Sequence, residues 1–159
     1  LDDRFFRNAM GKFATGITVV STEVKGEAHG MTANAFVSVS LNPKLILVSI
    51  DKRAKMLGLI QESKKFAVSF LAGNQQAESM RFAGQLKGDT PYSFEQFNEL
   101  PVIQDALANI TCTLYNEVEA GDHVLFIGEV TDLKVSEGDP LLYYQGKYRE
   151  LTAIEPTEP

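Results

Sequence analysis

Cysteine is nearly absent from this chain: Cys112 stands alone among 159 residues. That excludes an intrachain disulfide framework and leaves no Cys/His group with zinc spacing, so no metal site is expected. Flanked by Thr111 and Thr113 on a strand-like run, Cys112 reads as a small buried thiol without redox duty. Long apolar runs are missing too. None approaches the ~20 residues that a membrane-spanning helix needs, and the opening LDDRFFRNAM lacks the basic-then-apolar layout of a secretory signal. A cytoplasmic protein without membrane contact is expected. Basic clusters are wanting as well: the formal net charge is -6, the wrong balance for gripping a nucleic-acid backbone. No GxGxxG follows a strand and no GxxxxGK(S/T) occurs, so neither the Rossmann turn nor the phosphate loop is available to hold a nucleotide.

What is present is an ordinary globular composition, 44% hydrophobic, with no repeat and no linker, long enough to bury a real core. Phe5, Phe6, Ala9, Met10 and Phe13 recur at helical spacing, predicting an amphipathic helix over Asp2 to Phe13 that Gly16 ends. Ile17 to Val24 is β-branched and strand-like, and Lys25, Gly26 and Glu27 turn it into a second strand. Beyond Asn42 and Pro43, the apolar run Leu45 to Ile50 fits a central strand. Short helices are expected over Met56 to Ser63 and Gln75 to Phe82, with a strand, Phe66 to Leu71, between them. Lys87 to Leu100 is polar and turn-rich and reads as an irregular excursion. Ile110 to Val118 and Val124 to Val135 read as long strands joined through Glu119 to His123; Leu141 to Tyr144 is a last short strand before a turn at Gln145 and Gly146. Met10, Met31, Met56 and Met80 read as gap-fillers in apolar packing. Strands arriving as hairpins, not as βαβ units, point to an antiparallel barrel or sandwich carrying a few helices.

The stretch Ala28 to Asp51 threads small and hydroxyl-bearing residues between strand-like segments. Gly30, Thr32, Ala33, Asn34, Ala35 and Ser38 offer unobstructed N–H groups, hydroxyls and an amide, the equipment for holding a flat heterocycle and a phosphate.

Four ordered motifs carry a resemblance: FATGITVV from Phe13, HGMTANAFVSVSLNP from His29, AGDHVLFIGEV from Ala120 and PLLYYQGKY from Pro140. Together they resemble the flavin reductase family, and within it the small reductase components of two-component flavin monooxygenases such as phenol hydroxylase or 4-hydroxyphenylacetate 3-monooxygenase. The resemblance implies one mainly β domain with short helices over residues 1–151, an antiparallel split β-barrel of the FMN-binding type, followed by a tail over 152–159. It further implies a homodimer in which NADH reduces FAD, or FMN, and the reduced flavin passes to a separate oxygenase that hydroxylates a phenolic aromatic. Hydride transfer between nicotinamide and flavin belongs to the two cofactors, so the protein has only to stack the rings and bias their electronics.

By the same resemblance, Thr32, Ala33, Asn34 and Ala35 lie along the pyrimidine edge and N5 side of the flavin, where main-chain N–H groups stabilise the reduced ring. Ser38, Ser49 and Ile50 meet the ribityl chain and phosphate, and Lys55, beside a predicted helix start, supplies positive charge to the phosphate. Phe82 and Ala83 match the loop that closes over the flavin. His123, Gly146, Lys147 and Tyr148 match positions facing the nicotinamide, with His123 the one candidate catalytic residue. Each has a plainer alternative from the residues alone. Ser38 and Ser40 fit outward strand hydroxyls, Lys55 a solvated charge, His123 a surface turn residue, Phe82 a core anchor, and Tyr143, Tyr144 and Tyr148 edge-strand or dimer-contact aromatics. Two departures matter: Ala35 stands where many relatives carry Ser, leaving the contact to backbone, and Gln145 and Lys147 stand where Arg is common, which favours NADH over NADPH. A flavin-binding electron-transfer or sensor protein of the same fold, without NADH oxidation, is the alternative function.

Overall fold

The computed structural model describes residues 1–86 and 90–156. In chain order the elements are α1 (Asp3–Met10), β1 (Thr15–Gly16), β2 (Thr18–Val24), β3 (Glu27–Ala33), β4 (Phe36–Leu41), β5 (Lys44–Asp51), α2 (Lys55–Ser63) and β6 (Lys65–Phe70). There follow α3 (Gln76–Phe82), β7 (Glu95–Phe97), β8 (Leu100–Val102), β9 (Ala108–Ala120), β10 (His123–Val135), β11 (Leu142–Tyr144) and β12 (Lys147–Arg149). Seven strands form one antiparallel sheet in the order β3-β2-β6-β9-β10-β5-β4. Its outermost strands, β3 and β4, are consecutive in the chain, with only Asn34 and Ala35 between them. At ~3.8 Å per residue, Ala33 and Phe36 stand at most about 11 Å apart, so the sheet has to curl until its edges meet. β3 and β4 are two halves of one bent strand. Ala33 pairs with Thr18 on the β2 side, while Ser49 donates its N–H to the Ala35 carbonyl at 3.1 Å on the β5 side. A mainly β, antiparallel barrel split at this bend is the expected architecture.

Inside the barrel the period of two is plain. On β5, Ile46, Val48 and Ile50 are buried while Leu45, Leu47 and Ser49 between them are partly exposed; on β10 the inward row is Val124, Phe126 and Gly128. α2 adds Met56 and Ile60, one turn apart, to the same core. Cys112 belongs to that core at 1% exposure, and burial pushes its thiol up to about 12, consistent with an inert small residue.

Two layers explain what the sequence obscured. β2 is buried on both faces: Val20 points into the barrel, whereas Val19 packs with Ile17, Leu71, Ile103 and Leu141 outside it. Part of the outer cover is the β7–β8 hairpin, whose first strand and turn lie in the stretch Lys87 to Leu100 that was expected to be irregular. Ser21 Oγ donates to the Pro101 carbonyl at 2.6 Å, and the Ile103 N–H donates to Ser69 Oγ at 3.1 Å. Asn98 and Glu99 turn this hairpin with positive φ, which Asn tolerates but which a Glu does not signal. Lys87, Gly88 and Asp89 of that stretch, and Thr157 to Pro159 of the expected tail, lie outside the described residues.

The opening helix is shorter than its pattern. Asp2 accepts the Arg4 N–H at 3.0 Å as N-cap, and Gly11 caps the helix after Met10, so Phe13 lies beyond it. None of its residues is buried, and Met10, expected as a gap-filler, is 56% exposed. Met56 is buried as expected. The β9–β10 turn is also tighter than Glu119 to His123: only Gly121 and Asp122 separate the strands.

An ideal Cβ on Gly128 would stand 2.7 Å from both Cys112 Cβ and Phe66 Cζ, inside a core where Phe66 is fully buried. Gly128→Ala is therefore expected to cost about 1–3 kcal/mol by overpacking, seen as a lower midpoint in thermal unfolding.

Candidate functional site

A cleft of about 1020 Å³ opens beside the bend between β3 and β4. Asn34, Ala35 and Ser49 line it together with Phe36 and Phe70, whose rings meet edge-on at 5.0 Å, and with Tyr143 from the small β1-β11-β12 sheet. The bend has a chemical consequence. Leaving one strand partner before reaching the next, Asn34 and Ala35 keep their N–H groups without an acceptor among the described residues, while their carbonyls are taken by Phe36 and Ser49. Two adjacent main-chain donors on an exposed, small-residue segment beside an apolar cleft suit the polar edge of a flat ring.

A second group forms where α3 lies on β3. An ideal Cβ on Gly30 would stand 2.8 Å from the Phe82 ring, so the absence of a side chain there lets the ring settle on the strand. Tyr92 and Phe94 hold Phe82 from elsewhere, with ring centroids 5.1 and 5.5 Å away. Thr32 Oγ1 donates to the Ser79 carbonyl at 2.6 Å, and the Ala83 N–H donates to the same oxygen at 3.1 Å. Ser79 Oγ lies 2.9 Å from the Tyr148 hydroxyl on β12.

The third group sits where β5 runs into α2. In the basic run Lys52, Arg53, Ala54, Lys55, Lys52 pairs with Glu119 and Arg53 with Asp51. The Asp51 carboxyl is held well below the usual carboxylate range, first by its side-chain hydrogen bond with Arg53. Lys55 has no carboxylate partner among the described residues and is the first residue of α2, whose N-cap, Ala54, provides no side-chain acceptor. Cation and unpartnered helix N–H groups thus coincide. His123 opens β10 opposite Asp51, and its Nδ1 lies 2.8 Å from Asp122 Oδ1, which lowers the Asp122 carboxyl below its ordinary value.

The residues expected from the sequence thus fall into adjoining neighbourhoods. Asn34, Ala35, Ser49 and Gly146 line the cleft. Thr32, Phe82, Ala83 and Tyr148 meet around α3, with Ala33 continuing β3 toward the bend and exposed Lys147 beginning β12. Ile50, Lys55 and His123 share the end of β5, where the side chain of Ile50 is fully buried and only its backbone can meet a ligand. Ser38 lies apart, exposed on β4 opposite Ile46 and away from the cleft lining. Sequence reasoning missed Ser79 and the partnering of Lys52 and Arg53. The charge-dense run before α2 was a readable signal for the latter, but nothing local marks Ser79.

This chain belongs to the family of the flavin reductase like domain, which matches residues 10–152. It is 63% identical to the solved structure of flavin reductase PheA2, at a TM-score of 0.94 and covering 96% of this chain and 100% of that one. Among curated relatives, an NADH-dependent flavin reductase from a Rhodococcus species is 42% identical over 156 residues, 96% of this chain and 89% of that protein. The reductase component of 4-hydroxyphenylacetate 3-monooxygenase from Thermus thermophilus is 37% identical, over 92% of this chain and 95% of that protein.

Gly30→Ala is expected to push the Phe82 ring off β3 and to lower stability by about 1–3 kcal/mol. Near-ultraviolet circular dichroism, which reads the asymmetry of the Phe82, Tyr92 and Phe94 cluster, should change while the far-ultraviolet signal stays.

Proposed function

We propose that this protein is an NADH-dependent flavin reductase that supplies reduced flavin to a separate monooxygenase acting on a phenolic aromatic. The observation that carries it is the pair of unpartnered N–H groups at Asn34 and Ala35 beside an apolar cleft, in a chain of this family. Bound flavin supplies the hydride-accepting ring, and NADH supplies the hydride. The residues present fit such a group. Asn34 and Ala35 donate to its polar edge from backbone alone, which removes any need for a hydroxyl at position 35. Thr32 contributes position, not its hydroxyl, which is already bound to Ser79. Lys55 and the start of α2 hold the phosphate, and Ser49 and the Ile50 backbone span the distance between. Phe82 and Ala83 flank the ring from α3. On the nicotinamide side stand His123, Gly146, Lys147 and Tyr148, with His123 oriented by Asp122. FAD is the favoured flavin over FMN, and the protein is assigned to the cytoplasm.

A homodimer accompanies this reading. Phe5, Phe6, Met10 and Phe13 near α1 and Val37, Val39 and Leu41 on β4 are large apolar side chains left 46–80% exposed in one chain, more than a lone soluble surface of this kind carries. Sedimentation equilibrium should return twice the 17.5 kDa chain mass.

The test is anaerobic mixing of protein and saturating flavin with NADH, and separately with NADPH, while the visible flavin absorbance is followed. Bleaching by NADH in preference to NADPH is expected. A bound flavin that neither nucleotide bleaches would overturn the reductase reading and leave a carrier or sensor. Lys55→Ala should weaken flavin binding about tenfold, read by quenching of flavin fluorescence, because a charge-assisted phosphate contact is lost.

A further inference from the structure

Ser79 is 2% exposed in the middle of α3, yet both its oxygens are committed to residues that come from widely separated parts of the chain. Its carbonyl accepts from Thr32 Oγ1 at 2.6 Å and from the Ala83 N–H at 3.1 Å. Its hydroxyl meets the Tyr148 hydroxyl at 2.9 Å. Thr32 and Ala83 belong to the flavin side of the proposed site and Tyr148 to the nicotinamide side.

We infer that Ser79 is a positioning residue for hydride transfer: it fixes the tilt of the Tyr148 ring relative to the β3 segment that grips the flavin. The assignment rests on the placement of Tyr148 beside the nicotinamide. Tyr148 is only partly buried: it packs on the apolar cluster that holds Ile17, Leu71 and Leu141, and its ring meets that of Tyr143 edge-on at 5.5 Å. An edge contact tolerates sliding and rotation of the ring, whereas a hydrogen bond at the far end of the phenol does not. Without the Ser79 hydroxyl, the Tyr148 ring keeps its place in β12 and loses its angular anchor. Near-attack geometry between two stacked rings is sensitive to such a change, because small displacements of a positioned group are expensive in rate. The flavin side is spared, since the bonds from Thr32 and Ala83 go to the Ser79 main chain and survive loss of the side chain.

The test compares Ser79→Ala, Tyr148→Phe, the double variant and Tyr148→Ala as full-length, flavin-loaded protein. Ser79→Ala and Tyr148→Phe are each expected to raise KM for NADH or slow anaerobic flavin bleaching by about three- to tenfold, the range of one lost hydrogen bond. The flavin Kd should stay at the parent value, and the double variant should be no worse than either single one, because both remove the same bond. Should Ser79→Ala fail to fold, Tyr148→Phe decides alone, as it deletes that bond without touching the buried helix. Parent-like NADH kinetics in Ser79→Ala and Tyr148→Phe, with Tyr148→Ala impaired, would overturn the positioning role only. Parent-like kinetics in Tyr148→Ala would remove Tyr148 from the nicotinamide site and the positioning role with it. Multiplying effects in the double variant, or a flavin Kd that weakens in step with NADH, would reduce Ser79 to a structural contact.

Discussion

The short link from Ala33 to Phe36 governs this molecule. Two strands on opposite edges of a seven-stranded sheet are tied by Asn34 and Ala35, and so short a tether leaves the sheet no choice but to close. Closure has a cost at the tether itself. Asn34 and Ala35 cannot serve both neighbouring strands, and their N–H groups are left over. Orphan donors are a defect in most folds; here they are the part of the backbone best equipped to meet a heterocycle, and the fold generates them without any dedicated side chain.

That economy explains how much the sequence disclosed. The strand Leu45 to Ile50 was legible as an apolar run, whereas the choice of Ile46, Val48 and Ile50 as its inward row came only from the structure. α2 and α3 were expected within a residue of their true starts. The β7–β8 hairpin was not, because its strands are three residues long, turn on Asn98 and Glu99, and exist to cover a strand buried on both faces. Such a strand carries no alternation, and its cover cannot be inferred from either segment alone. The site divides in the same way. Small residues around the bend announced themselves, whereas Lys55 at the head of α2 read as a solvated charge without the resemblance. The helix C-terminus with Phe82 and the β12 hairpin with Tyr148 came from resemblance alone, and Ser79, a plain serine in a short helix, carried no signal. Its role is visible only once β3, α3 and β12 are in contact.

Charge tells a related story. In an acidic chain, three cations in the run Lys52 to Lys55 would be expected to neutralise carboxylates, and two of them do, on Glu119 and Asp51. These exposed pairs contribute little to stability. Their effect is to sort the cations: with its neighbours engaged, Lys55 remains as the charge at the head of α2, where the helix already favours an anion. His123 shows a similar division, since Asp122 takes one ring nitrogen and the other has no hydrogen-bond partner among the described residues.

Sulfur is distributed with equal economy. Reduced flavin that meets dioxygen yields peroxide, and a protein that turns flavin over bathes in its own by-product. Its one thiol lies at 1% exposure, protonated to about pH 12, in the centre of the barrel, where neither the nucleophilic form nor a path for the oxidant exists. Of the four methionines, Met56 is sealed in the core, whereas Met10 is 56% exposed and lines the cleft. Oxidative damage to this reductase is therefore slow to reach the thiol on which the packing of the barrel depends.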